Sequence, residues 1–216
     1  MIAHVLARAL ASGLGRVAVA CAEREIKDAV ERAGGEAVLT DPALPSGSDR
    51  IYAALVKIDP GRKYDTVINL QGDLPTLDPA LIKTAAHLTA TADIGTLAAV
   101  ITKESEIGNP NVVKAVAEID FAGGATSGRA LYFTRATAPT GEGPLLHHIG
   151  IYAYRRAALE KFVHAAPSYL ERREKLEQLR ALALGLRIDV AIAKTVPLGV
   201  DTPEDLEAAR QALRPV

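Results

Sequence analysis

Short apolar runs rich in β-branched residues alternate with helical segments along the first part of the chain. The apolar runs cover residues 17–22, 36–40 and 65–71, and segments with helical periodicity at 27–34 and 49–59 separate them. A strand that is followed by a helix and a second strand forms a parallel pair with the helix packed on the sheet. The alternation therefore predicts an α/β fold with a largely parallel sheet.

The composition narrows the class of protein. A chain of 216 residues with 49% hydrophobic residues fits one domain, spanning residues 1–216, with a sizeable core. Its 25 basic and 26 acidic side chains give a net charge of -1, which creates no field that would attract a nucleic acid or an anionic membrane. Cys21 is the one cysteine, so the chain forms no internal disulfide, and we expect a small buried side chain there.

The opening residues predict an amphipathic helix rather than a signal peptide. Ile2, Val5, Leu6 and Leu10 share one helical face with Ala9. No stretch approaches the ~20 apolar residues of a membrane span. We therefore expect a cytoplasmic protein with neither a nucleic acid nor a membrane as its partner.

The segment from Asn109 to Tyr154 departs from this alternation. Its three β-like stretches, NVVKAVAEI, RALYFTRA and IGIYAYR, follow one another with turns that contain Gly or Pro. Strands joined by short turns pair antiparallel, so we predict an antiparallel excursion over 109–154 within the domain. Beyond it, the pattern predicts a charged helix within 167–185, a last strand and a closing helix over 202–213.

Two aspartates follow predicted strands. Asp73 stands in INLQGDLP and Asp201 in PLGVDTPE. Ligands of open α/β sheets bind beyond the carboxyl ends of strands, where a carboxylate can reach a metal-bound phosphate. Each residue also has an ordinary interpretation: Asp73 as a turn residue before Pro75, and Asp201 or Thr202 as the cap of the helix that Pro203 opens.

The loop LPSGSDR contains Ser46, Gly47 and Arg50. Small residues let a backbone approach a ligand, and a guanidinium pairs well with phosphate. The alternative is a polar turn that caps a helix starting near Asp49. Neither a P-loop G-K-S/T nor a G-x-G-x-x-G fingerprint is present in the chain, so an NAD-binding module is poorly supported.

Two further segments, HHIGIYAYRR and LERREKLEQLRAL, carry polar side chains of interest. His147 and His148 are adjacent on a predicted strand and point to opposite faces, so a single polar contact from His148 is favoured over a zinc site. The mixed charges of the second segment predict a solvated helix face, with an i,i+4 pair between Glu171 and Lys175.

Together these segments closely resemble the cytidylyltransferases that activate 3-deoxy-manno-octulosonate (Kdo) for lipopolysaccharide synthesis, especially the alphaproteobacterial type. The resemblance runs in order through PSGSDRI, INLQGDLPT, NPNVVKAV, RALYFTRATAP, HHIGIYAYRRAALE, LERREKLEQLRAL and VPLGVDTPEDLE. It implies the Rossmann-like nucleotide-diphosphosugar transferase fold, with a mostly parallel sheet and a homodimer built partly by 109–154. It also implies that CMP passes from CTP to Kdo with release of pyrophosphate, and that Mg²⁺ is the cofactor.

The resemblance also implies roles for individual residues. The metal-binding, catalytic carboxylates would be Asp73 and Asp201. The nucleotide-binding residues would be Ser46, Gly47 and Arg50. The sugar-binding residues would be Gln71, Arg135, His148, Tyr152, Glu177 and Gln178.

Two departures from the resembled family bear on the function. Its members normally begin earlier, with a first strand and a phosphate-binding loop, so we expect this chain to lack that segment. Leu44 stands where the family usually has a histidine. The alternative functions are a cytidylyltransferase for 8-amino-Kdo or sialic acid, and an inactive remnant that still folds or dimerises.

Overall fold

The computed structural model describes residues 1–200 and 202–214. The chain divides into two compact units. Unit 1 contains residues 1–64, 69–83 and the described residues from 197 onward, and unit 2 contains 65–68 and 84–196. One domain over 1–216 stays a prediction.

The helices and strands follow the predicted alternation, with small shifts at their ends. In chain order the helices are α1 (Ile2–Ala11), α2 (Arg24–Arg32), α3 (Gly47–Ile58), α4 (Pro79–Leu88), α5 (Glu104–Ile107), α6 (Arg156–Val163), α7 (Tyr169–Glu174), α8 (Gln178–Ala183) and α9 (Pro203–Ala212). The strands are β1 (Ala18–Cys21), β2 (Glu36–Leu39), β3 (Thr66–Leu70), β4 (Ile94–Val100), β5 (Lys114–Glu118), β6 (Ser127–Thr134), β7 (Leu146–Arg155) and β8 (Ile188–Ala193). No helix in the described ranges is long and apolar enough to cross a membrane.

Unit 1 contains the predicted β-α-β arrangement of β1, α2 and β2. The two strands pair in parallel, with Ala18 opposite Glu36. The amphipathic α1 buries Val5 and Leu6, whereas Leu10, predicted for the same face, is 53% exposed. Burial of a Val or Leu side chain contributes about 1.5–3 kcal/mol, so Val5 and Leu6 are the residues of α1 that hold it in place.

Unit 2 contains most of a mixed sheet with the strand order β3-β7-β4-β8-β6-β5. Strands β4 and β8 are parallel, whereas β7 on β4, β6 on β8 and β5 on β6 are antiparallel. The α/β class and the antiparallel excursion are thus confirmed. The sheet is less parallel than expected because β7, the last strand of the excursion, returns to lie between β3 and β4.

Helix α4 packs closely on β4 at a glycine. A Cβ atom on Gly95 would lie 2.2 Å from the carbonyl oxygen of Ala85 and 2.7 Å from Cβ of Leu88. Since both neighbours belong to one rigid helix, only glycine allows this approach.

The charged helix predicted within 167–185 is in fact two short helices, α7 and α8. Lys175 ends α7 in the left-handed conformation, with φ 56°. The expected solvated pair of Glu171 and Lys175 is wrong. Glu171 is buried and binds Arg180 of α8, with Nη2–Oε1 at 2.5 Å and Nε–Oε2 at 2.9 Å.

Candidate active site

The predicted nucleotide loop and the end of β3 lie together in unit 1. Strand β3 leads directly into Gln71, which is exposed, and Asp73, which is half-buried. A Cβ atom on Gly47 would lie 3.9 Å from the side-chain nitrogen of Asn69, the next-to-last residue of that strand. Gly47 therefore places the start of α3 beside the strand end from which Asp73 follows.

Ser46 caps helix α3. Its Oγ accepts a hydrogen bond from the backbone N–H of Asp49 at 3.2 Å and lies 2.6 Å from Oδ2 of the same residue. The capping alternative is thus confirmed for Ser46, although the helix begins at Gly47 rather than near Asp49. The backbone N–H groups and the positive end of such a helix favour an anion. Nucleotide binding by Ser46 and Gly47 stays a prediction.

Arg50 is anchored at the end of β2. Its Nη1 donates to Oγ1 of Thr40 at 2.8 Å and to the carbonyl oxygen of Asp41 at 3.3 Å. Its Nε and Nη2 make no hydrogen bond within the part of the chain that the structure describes. Two guanidinium nitrogens, Nε and Nη2, are therefore left to donate to a ligand.

The chain segment that precedes Asp201 lies beside Asp73. The backbone N–H of Val200 donates to the carbonyl oxygen of Asp73 at 3.0 Å, and the N–H of Leu198 donates to Oγ1 of Thr76 at 3.2 Å. Asp201 itself lies outside the described residues. Val200, the last described residue before it, is therefore a backbone neighbour of Asp73. A shared metal-binding role of the two aspartates stays a prediction.

Thr202 caps helix α9. Oγ1 of Thr202 accepts from the N–H of Asp205 at 3.2 Å, and the Asp205 carboxylate accepts from the N–H of Thr202 at 3.0 Å. This reciprocal pair satisfies the helix start. The capping role that the sequence left open between Asp201 and Thr202 therefore belongs to Thr202.

Carboxylate oxygens are the donors that Mg²⁺ prefers, and Asp73 offers one such group beyond a strand end. Of the predicted metal pair, Asp73 alone falls within the described residues. Across residues 1–200 and 202–214, no three His, Cys, Asp or Glu side chains group closely enough to form a metal cluster. The chemistry of Asp73 therefore fits Mg²⁺, and the complete ligand set stays a prediction.

In unit 2, His148 is a buried residue of β7. Its Nε2 lies 3.0 Å from Oγ1 of Thr96 on β4, and its ring packs edge-on against Phe133 at 5.0 Å. Burial lowers the pKa of His148 to about 3, so the imidazole is neutral at neutral pH. His147 has different surroundings, with Nδ1 3.5 Å from Oε2 of Glu106. The two histidines thus face different groups, as predicted.

Tyr152 lies next to His148 in the same aromatic row. Its ring centroid is 5.4 Å from that of His148 and 5.9 Å from that of Tyr154. Burial, and then the neighbouring Tyr154 and Glu177, raise the pKa of Tyr152 well above its usual value. Its hydroxyl therefore keeps its proton and remains a hydrogen-bond donor.

The predicted sugar residues Glu177 and Gln178 begin helix α8. Glu177 is half-buried and close enough to influence Tyr152, so the structure brings these two predicted residues together. Gln178 is buried, and its amide makes no hydrogen bond to the described residues. An amide that is not paired within the described residues can hydrogen-bond to a polar ligand.

Arg135 binds the backbone around it. Its Nε donates to the carbonyl oxygen of Glu174 at 2.9 Å, and its Nη1 donates to that of Pro110 at 3.0 Å. Its own N–H donates to the carboxylate of Glu174 at 3.0 Å. Arg135 thus joins β6 to the end of α7, and its contact with a sugar stays a prediction.

Two polar residues of unit 2 were missed by the sequence reasoning. Thr96 is fully buried in β4, and its signal was its position as a lone polar side chain within IGTLAAV. Glu174 accepts from the hydroxyl of Thr134 at 2.9 Å and from that of Tyr132 at 3.4 Å. No local pattern distinguishes Glu174 from the other charges of its segment.

An α/β fold with a carboxylate beyond a strand end and a capped helix start beside it is typical of nucleotide-binding enzymes. The sequence model of the family described as cytidylyltransferase matches residues 1–188. The chain belongs to the cytidylyltransferases.

Its relatives place it more closely within that family. It is 64% identical to the 3-deoxy-manno-octulosonate cytidylyltransferase of Parvibaculum lavamentivorans, over 99% of this chain and 82% of that protein. It is 62% identical to the protein of that name from Rhodospirillum centenum, over 100% of this chain and 84% of the relative. The chain thus belongs to the 3-deoxy-manno-octulosonate cytidylyltransferases, as its motifs predicted.

Solved structures agree with this placement. A CMP:2-keto-3-deoxy-manno-octonic acid synthetase complexed with CTP matches with a TM-score of 0.85 and 34% identity, over 98% of this chain and 86% of that one. A 4-diphosphocytidyl-2C-methyl-D-erythritol synthase from Anaerococcus prevotii matches with a TM-score of 0.64 and 12% identity, over 98% of this chain and 88% of that one. The second likeness bears on the fold alone. The predicted fold class is confirmed.

Proposed function

We propose that this chain transfers CMP from CTP to Kdo, releases pyrophosphate and supplies CMP-Kdo for lipopolysaccharide synthesis. The observation that carries the proposal is the high identity, over nearly the whole chain, with relatives named for this reaction. The solved relative that was complexed with CTP supports the choice of nucleotide. The comparisons do not favour 8-amino-Kdo, sialic acid or an inactive remnant.

On the nucleotide side, residues of unit 1 bind and neutralise the triphosphate. The helix start at Ser46 and Gly47 offers backbone N–H groups, and Arg50 offers Nε and Nη2. Asp73 and Asp201 would hold Mg²⁺. When bound, the ion neutralises charge on the triphosphate and favours ionisation of the attacking hydroxyl.

On the sugar side, residues of unit 2 provide neutral hydrogen-bonding groups. His148 is uncharged, Tyr152 keeps its proton, and the amide of Gln178 is available. Such groups suit a polyhydroxylated acid. The anomeric hydroxyl of Kdo loses its proton to solvent and its oxygen attacks the α-phosphorus in line. A new P–O bond forms, and the bond from the α-phosphorus to the β-phosphate oxygen breaks as pyrophosphate leaves.

We also propose that the protein is cytoplasmic and forms a homodimer. CTP, the nucleotide of the solved relative, is a metabolite of the cytoplasm, which is the reason for that location. Large exposed apolar side chains on the antiparallel excursion, among them Leu131, support association with a second copy.

The test is turnover by the purified chain with CTP, a divalent metal and one sugar acid at a time. We expect pyrophosphate and CMP-Kdo with Kdo, less product with 8-amino-Kdo and sialic acid, and none after metal removal with EDTA. If another sugar acid is turned over faster than Kdo, that acid replaces Kdo as the proposed substrate. Unchanged pyrophosphate release in EDTA would refute the role of Mg²⁺.

A further inference from the structure

Thr96 is the only hydrogen-bonding partner of the buried imidazole of His148 among the described residues. Its Oγ1 lies 3.0 Å from Nε2 of His148, 2.7 Å from the carbonyl oxygen of Ile151 and 3.4 Å from that of Ile149. The hydroxyl has a single hydrogen to donate. Where that hydrogen points decides which ring nitrogen of His148 carries a proton.

The two carbonyl oxygens settle the direction of the hydroxyl. A carbonyl oxygen can only accept, and 2.7 Å is the usual length of an O–H···O hydrogen bond. If the Thr96 hydrogen pointed at His148, the oxygens of Thr96 and Ile151 would be in contact at 2.7 Å with no hydrogen between them. The hydroxyl of Thr96 therefore donates to Ile151, and its oxygen accepts the Nε2–H of His148.

An irregular register between β4 and β7 creates this arrangement. Thr96 is paired with Tyr152, whereas the next residue, Leu97, is paired with Ile149. The extra residues on β7 bring the carbonyl groups of Ile149 and Ile151 to one hydroxyl. The backbone itself thus fixes the orientation of Thr96.

Aromatic side chains pack around the His148 ring, and the ring is uncharged. Phe133 packs against it at 5.0 Å with an interplanar angle of 73°, and the ring centroid of Tyr152 lies 5.4 Å from that of His148. Because the imidazole is neutral, it carries one N–H, which Thr96 binds at Nε2. The remaining nitrogen, Nδ1, makes no hydrogen bond to the described residues and has a lone pair to offer.

We propose that Thr96 is a positioning residue that holds His148 in the Nε2–H form, so that Nδ1 accepts a hydrogen bond from a sugar hydroxyl. The inference rests on the proposed function for the identity of the sugar. It also predicts what His148 does not bind. A carboxylate has no hydrogen to donate to Nδ1, so the acid group of the substrate is held elsewhere.

The first test is the tautomer of His148 in the wild-type protein without substrate. Nitrogen-15 NMR distinguishes protonated from unprotonated ring nitrogens, and the signals of His148 are those missing from His148→Gln. We expect a proton on Nε2 and none on Nδ1 near pH 7. A proton on Nδ1 would overturn the proposal without any reference to activity.

The second test compares Thr96→Val, which removes the hydroxyl at nearly constant volume, with Thr96→Ser, which keeps it. For Thr96→Val we expect KM for Kdo to rise by up to about tenfold, with KM for CTP and kcat little changed. Thr96→Ser should resemble the wild type in KM and in tautomer. An unchanged KM for Kdo in Thr96→Val would overturn the positioning role.

The valine variant leaves the carbonyl group of Ile151 without its donor, so both variants are assayed well below their melting temperatures. Failure of the proposed function gives a different result from failure of this inference. If the wild type does not turn over Kdo, the function is wrong, and the NMR measurement still decides the tautomer.

Discussion

Burial sets the protonation state of His148 and gives a prediction for stability. Its folded pKa of about 3 lies below the usual histidine value of about 6.5. Between these values the unfolded chain binds a proton that the folded chain does not, so stability falls as the pH decreases through this window. We expect the free energy of unfolding to fall by nearly 1.4 kcal/mol, about the value of one pKa unit, for each pH unit below 6.5.

Urea unfolding of the wild type and of His148→Gln at several pH values between 7.5 and 4 measures this effect. Other groups titrate equally in both proteins, so a difference between the two plots of unfolding free energy against pH is due to His148. The wild type should lose stability faster than the variant as the pH falls. Parallel curves would contradict the neutral, buried state of the imidazole.

Asp73 gives the prediction for catalysis at the residue scale. Asp73→Asn keeps the size and shape of the side chain but removes the charge that binds a metal, so we expect turnover to fall by about a hundredfold or more. Melting temperature should change little. Asp28→Asn, on the exposed face of α2, is the matched control and should keep full activity. Full activity of Asp73→Asn would show that Asp73 is only a turn residue.

Roles that depend on near neighbours were predictable from the sequence, and roles that depend on distant ones were not. A helix start just before Pro203 was predicted from the order of Asp, Thr and Pro, although the cap was left open between Asp201 and Thr202. The opposite directions of His147 and His148 follow from strand geometry. The tautomer of His148 depends on Thr96, which lies 52 residues away along the chain. No local pattern indicates that pairing.

At the scale of elements, α6, α7 and α8 are joined through Arg180. Its guanidinium binds both carboxylate oxygens of Glu171 and lies 4.5 Å from the ring centroid of Phe162. Both charged side chains are buried. Removal of one partner from such a pair leaves an uncompensated buried charge, which costs about 3–5 kcal/mol.

We therefore expect Arg180→Met to lower the free energy of unfolding by about 3–5 kcal/mol in urea. The double variant Glu171→Gln with Arg180→Met should recover part of that loss, because no charge is left buried. Arg173→Met, on the exposed side of α7, should stay within about 0.5 kcal/mol of the wild type. If Arg180→Met and Arg173→Met lost equal free energy of unfolding, the stabilising role of the buried Arg180–Glu171 pair would be contradicted.

The order of elements could be predicted, whereas their arrangement in the sheet could not. The positions of α3, β3 and β4 follow from hydrophobic periodicity, which is a local signal. The insertion of β7 between β3 and β4 depends on pairing between distant segments. The break between α7 and α8 was missed because Lys175, a good helix former, adopts a positive φ that its sequence does not indicate.

At the scale of the whole molecule, the proposed homodimer can be tested through the antiparallel excursion. Leu131 on β6 is 52% exposed, and Phe121, between β5 and β6, is 40% exposed. Large apolar side chains that are exposed on one segment are often covered by a partner. We expect the chain to be a dimer at micromolar concentration and Leu131→Asp to be a monomer, because an aspartate cannot be buried at an interface without a partner charge.

Leu14 provides the matched control for this prediction. It is 48% exposed and precedes β1, outside the excursion, so Leu14→Asp introduces the same charge at similar exposure without touching the proposed interface. Analytical ultracentrifugation over a range of concentrations gives the oligomeric state, and circular dichroism confirms that each variant is folded. A monomeric wild type would refute the homodimer. A dimeric Leu131→Asp beside a monomeric Leu14→Asp would place the interface outside the excursion, because the charge would then disrupt association only near the start of β1.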